Sequence, residues 1–89
     1  MAEISFVIKN KVGLHARPAS VFVREASKFK SAITVIHGDK QANAKSILSV
    51  LTLGANLGTV ISIRAEGEDA EDALKALMTL NESNYGEAQ

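Results

Sequence analysis

A chain of 89 residues, 46% hydrophobic and 22% charged, with no cysteine, has room for one core and offers no thiolate for a disulfide or a metal. Ten Lys plus Arg balance ten Asp plus Glu, so the basic excess of a nucleic-acid-binding protein is missing. No apolar stretch could span a bilayer, and Met1-Ala2-Glu3-Ile4 lacks the start of a secretory signal, so the expectation is a cytoplasmic protein without membrane contact.

Ile4, Phe6 and Ile8 alternate with Ser5 and Val7 and predict a strand. Asn10 to Gly13 breaks the pattern as a loop. From Pro18 the period lengthens, with Ala19, Phe22, Val23, Ala26 and Phe29 on one helical face. Proline costs nothing in a first helical turn, so the pattern starts this helix at Pro18. Ala32 to His37 is rich in β-branched residues and predicts a second strand. His37-Gly38-Asp39-Lys40 is a hairpin turn leading to a short polar strand near Gln41 to Asn43. Ser46 stands as an N-cap before Ile47, Leu48, Val50 and Leu51, a short apolar helix that Gly54 can close. Asn56 to Gly58 turns into a fourth strand, Val60 to Ala65. Asp69 then caps a last helix with the stripe Ala73, Leu74, Leu77, Met78 and Leu80. The order is β-α-β-β-α-β-α, an α+β fold with helices on one face of an antiparallel sheet. The order of strands in that sheet is not contained in the string of elements.

Gly13-Leu14-His15-Ala16-Arg17-Pro18-Ala19 carries the chemistry. It puts His15 at the mouth of a helix, where the first N–H groups have no intrahelical acceptor and the dipole is positive. Arg17 adds a permanent planar donor set to this anion site. An uncharged imidazole there can attack a phosphoryl donor. The negative charge it acquires then meets the free amides and the guanidinium. The product is a phosphoramidate, reactive enough to pass its group on. An exposed histidine at a helix end is also an ordinary solvated side chain, and short motifs have real false-positive rates.

The same seven residues resemble the phosphoryl-accepting signature of HPr, the histidine-containing phosphocarrier family of the bacterial phosphoenolpyruvate-dependent sugar phosphotransferase system. Asn43-Ala44-Lys45-Ser46-Ile47-Leu48 followed by Leu53-Gly54 resembles that family's second signature, and Ala65-Glu66-Gly67-Glu68-Asp69 a third matching segment. The likeness runs to about Tyr85 without insertions, and implies a single HPr domain over residues 1–89. It implies an open-faced β-sandwich with strand order 1-4-2-3, and a first helix that begins about two residues before Pro18. It also implies that His15 takes a phosphoryl group from phosphorylated enzyme I, on Nδ1, and gives it to sugar-specific enzyme IIA domains. Arg17 and the amides of Ala16 and Arg17 would contact that group. Such a protein is a carrier that does not turn over alone, works as a monomer and needs no cofactor or metal.

Two further roles follow from the resemblance. Ser46, a helix cap on the pattern alone, becomes a regulatory phosphorylation site for an HPr kinase/phosphorylase. A phosphate at a helix start should stabilise the helix rather than melt it, so inhibition would come from charge in a docking surface. Ser20, Arg24 and Ile47 become partner contacts. Four apolar residues in so short a helix cannot all face the core, which favours burial of Val50 and partial exposure of Leu48 and Leu51 as part of the same surface. His37 reads as a solvated hairpin residue, and Lys28, Lys30, Lys40 and Lys45 as solubilising charges. Two competing readings remain: a regulatory module whose phosphorylated Ser46 engages a transcription regulator, and a nitrogen-branch carrier served by a different enzyme I.

Overall fold

The structure, a computed structural model, describes residues 2–9 and 13–83. Asn10 to Val12 of the first loop and Tyr85 of the tail lie outside the described residues. Strand β1, Ala2–Val7, keeps the expected alternation: Ala2, Ile4 and Phe6 are half-buried and Glu3, Ser5 and Val7 exposed. Helix α1 is Ala16–Ala26, β2 Ala32–His37, β3 Lys40–Asn43, α2 Ile47–Leu51, β4 Val60–Glu66 and α3 Ala70–Glu82.

The strands pair antiparallel in the order β1-β4-β2-β3, the order that the family resemblance implies. Register sets Ile63 of β4 opposite both Ile4 of β1 and Val35 of β2, so the middle of the sheet presents a continuous apolar face. On that face Ile61, Ile63, Ala65, Ile33 and Val35 pack with Ala19, Phe22, Val23 and Ala26 of α1 and Ala73, Leu74 and Leu77 of α3. Burying one large side chain of this set contributes about 1.5–3 kcal/mol, so the period-two and period-3.6 patterns decide which face turns inward. The other sheet face is open. There Ser5 and Ser62 share a hydrogen bond of 2.7 Å, and Arg64 Nε reaches Glu3 Oε1 at 3.3 Å.

Three expectations need correction. Helix α1 begins at Ala16, not at Pro18, because a proline at the third helical position loses no more than one at the first: none of these amides has an intrahelical acceptor. Asp69 occupies the N-cap of α3, yet its carboxylate makes no cap bond. It accepts instead from the Lys30 amide at 2.8 Å, the Ser31 amide at 3.0 Å and the Ser31 hydroxyl at 2.5 Å, pinning the start of β2 to the start of α3. Gly67 enables this approach, since at φ 148 it leaves room that a Cβ would take from Ser31 Oγ. Lys45 is not a free surface charge, because its Nζ donates to the Phe29 carbonyl just after α1 at 2.7 Å.

Asn81 was not anticipated as a core residue. It is fully buried in α3, and its Nδ2 donates to the Val7 carbonyl at 2.9 Å, which ties the last helix to the end of β1.

Candidate functional site

The phosphoryl-accepting candidate, His15, is the N-cap residue of α1, with extended φ and ψ of −86° and −169°. Its carbonyl accepts the first intrahelical bond, from the Ala19 amide at 2.8 Å. Its side chain is exposed and makes no capping hydrogen bond. Pro18 has no N–H to offer, so the donors left at this helix mouth are the amides of Ala16 and Arg17. Among the described residues neither amide has an acceptor. Two donors open among the described residues, a positive dipole end and an exposed imidazole thus share one turn.

The approach to His15 is built from buried parts. Leu14 is in the core and donates its amide to the Ala55 carbonyl at 2.8 Å. Gly13 adopts φ 65, and a Cβ there would collide with the Ala55 carbonyl oxygen and lie 2.6 Å from Asn56 Cα. Only glycine suits that position, both for its conformation and for the close backbone approach. The loop after α2 therefore packs on the backbone that leads into His15, a contact that the motif around His15 does not reveal.

Arg17, Ser20 and Arg24 follow at helical spacings of three and four, on one face of α1. Arg17 and Arg24 are exposed and Ser20 half-buried, and neither arginine forms an ion pair among the described residues. Helix α2 packs on α1. Its Ile47 is 43% exposed and its Leu48 76%, while Val50 is buried. Leu51 is half-buried against the core, the partial exposure expected of it, whereas Leu48 stands clearer of the core than expected. Ser46 is the N-cap of α2 as expected, its Oγ accepting from the Ser49 amide at 3.4 Å.

His37 departs from its expected solvated state. It is half-buried, and its Nδ1 lies 2.8 Å from the Leu53 carbonyl. No sequence signal joins these residues, because the bond spans the β2–β3 hairpin and all of α2. Among the described residues no group of three or more His, Cys, Asp or Glu could hold a metal ion, and no helix is long and apolar enough to cross a membrane.

Comparison with known proteins follows the same lines. Residues 2–83 match the family described as PTS HPr component phosphorylation site. The chain is 53% identical over 77 residues to a phosphocarrier protein HPr of Mycoplasma capricolum, covering 86% of each. It is similar to the crystal structure of HPr-C-His from Thermoanaerobacter tengcongensis, with 52% identity, a TM-score of 0.96 and all of both chains covered. The HPr dimer of that organism is similar at 53% identity and a TM-score of 0.79, over 98% of this chain and 100% of the other.

Proposed function

The chain belongs to the HPr family of the phosphotransferase system, and from that membership we propose that His15 accepts a phosphoryl group from phosphorylated enzyme I and donates it to enzyme IIA domains. The carrying observation is the exposed ring of His15 beside two amides that have no acceptor among the described residues, at the mouth of α1. In the transfer, a ring nitrogen of His15 forms a P–N bond as the donor's bond to phosphorus breaks. The phosphoryl oxygens then sit where the Ala16 and Arg17 amides and the Arg17 guanidinium can stabilise them. Return of the group to a partner reverses the same steps, so the protein carries the group without consuming it.

Incubation with enzyme I and phosphoenolpyruvate tests this reading. Intact mass should rise by one phosphoryl group, labile in acid, and His15→Ala should take up none. Uptake by His15→Ala equal to that of the parent would overturn it. The same assay with the nitrogen-branch enzyme I separates the two branches, by which donor works faster.

Ser20, Arg24, Ile47 and Leu48 form the proposed docking surface, with the half-buried Leu51 behind it. Exposed apolar side chains flanked by arginines that form no ion pair among the described residues suit an acidic partner with an apolar centre. Ser46 is proposed as a second, regulatory phosphorylation site for an HPr kinase/phosphorylase, with a transcription regulator as reader of the modified form. Its hydroxyl stands at the start of the helix that carries Ile47 and Leu48, so added charge would fall within the docking surface. The monomeric state is also a proposal, checked by sedimentation at assay concentrations.

A further inference from the structure

His37 ends β2 and precedes the turn at Gly38 and Asp39. A carbonyl can only accept, so the 2.8 Å contact with the Leu53 oxygen places a proton on Nδ1 of His37. Leu53 is buried and leads into the loop 54–59. Two residues on, the buried Ala55 gives its carbonyl to the Leu14 amide at 2.8 Å. The far end of this loop is tied to the residue after β1: Ile8 donates to the Thr59 carbonyl at 2.8 Å and Gly58 to the Ile8 carbonyl at 2.9 Å. Inside the loop the Asn56 amide donates to Thr59 Oγ1 at 3.1 Å. The loop thus has an anchor at each end, His37 at its start and Ile8 at its finish. Between them lies the one carbonyl that holds the residue before His15. Because the His15 side chain makes no cap bond, the direction of its ring depends on the path of the backbone at 13–15.

We propose that His37 is a positioning residue for phosphoryl acceptance: by fixing the Leu53 carbonyl it sets Ala55, and through the Ala55–Leu14 hydrogen bond it sets the direction of His15. The inference rests on the reading of His15 as the acceptor. His37 touches neither the donor nor the phosphoryl group, so its influence passes through the backbone alone.

Two substitutions separate the hydrogen bond from simple packing. His37→Leu keeps bulk and removes the donor, whereas His37→Asn places an amide N–H the same number of bonds from Cβ as Nδ1. In His37→Leu, hydrogen exchange at the Leu14 amide should accelerate about tenfold while amides of β4 keep their rates, a local rather than global opening. The rate of phosphoryl acceptance at saturating carrier should fall about tenfold, within the roughly 100-fold that a 1 Å misplacement can cost. The KM for the carrier should hold, since Ile47 and Leu48 are untouched. His37→Asn should restore both exchange and rate. Unchanged Leu14 exchange in His37→Leu would overturn the proposal, as would equal acceleration of β4 amides or failure of His37→Asn to rescue. Should the parent protein accept no phosphoryl group from any enzyme I, the reading of His15 falls. The exchange of Leu14 then still decides whether His37 holds the loop.

Discussion

A helix of this kind usually starts with Ser, Thr, Asp or Asn, whose side-chain oxygen takes up one of the open amides. His15 fills that place without doing so, and Pro18 removes a third donor from the same turn, leaving two amides for an anion. The site thus gives up some helix stability to keep its donors open. Replacing His15 by Ser should therefore raise the unfolding free energy by about 1 kcal/mol in urea titration while abolishing phosphoryl uptake. A variant both inactive and less stable would contradict this account. Gly13→Ala should act in the opposite sense, destabilising by about 1–3 kcal/mol for its φ of 65°, with the collision against Ala55 adding to the loss. At this scale the sequence is eloquent about His15, because the signals that place it lie within four residues on either side. It is silent about His37, whose partner carbonyl is sixteen residues away and belongs to a backbone atom that every residue carries.

Among elements, the junction of β2 and α3 has a readable acid dependence. The Ser31 hydroxyl, followed by the Lys30 and Ser31 amides, holds the Asp69 carboxyl at about 2, below its ordinary 3.8. A carboxylate depressed by folding contributes stability that is fully present above its unfolded value and lost as pH falls through its folded one. The contribution should therefore fade between about pH 4 and pH 2. In Ser31→Ala the Asp69 titration followed by NMR should move up toward 3.8, and the stability gap between this variant and its parent should narrow from about pH 4 downward and go on narrowing below pH 2. An unmoved titration would show that the hydroxyl is not the main cause. The cap of α2 is weaker: at 3.4 Å its bond is long, so Ser46→Ala should cost only about 0.5 kcal/mol, the low end for capping residues. Phosphate on Ser46 should slow rather than hasten hydrogen exchange in α2, since negative charge suits a helix start. The positions of all seven elements follow from hydrophobic period and turn residues, with most ends displaced by one or two residues; the largest miss is α1, whose apolar stripe points on to Phe29 while the helix stops at Ala26. What the pattern misassigns is the use of Asp69. Its type and place signal a cap, but two amides and a hydroxyl across the molecule compete for its oxygens and win.

For the molecule as a whole, exposure separates the residues that hold the fold from those free to serve partners. Leu48 is 76% exposed, so Leu48→Glu should leave the urea midpoint nearly unchanged, within about 0.5 kcal/mol as for surface substitutions generally. Phosphoryl exchange with enzyme I or an enzyme IIA should slow nonetheless, chiefly through a higher KM. Val50→Ala, at a fully buried site of the same helix, should do the reverse, lowering stability by about 1–3 kcal/mol with little effect on KM. The sheet order is the property least accessible to residue-by-residue reading. Alternation tells which face of a strand is buried, not which strand lies beside it, and only likeness to a known family supplies 1-4-2-3.

That order has a consequence for the chain as it leaves the ribosome. Strand β1 emerges first, but its neighbour in the sheet is β4, which begins only at Val60. At translation speeds of about 5–20 residues per second, β1 waits roughly 3–10 s with its backbone unmatched. The nascent chain thus holds the His15 motif well before the sheet can close behind it, and any partner that meets it in that interval meets an unfinished helix mouth.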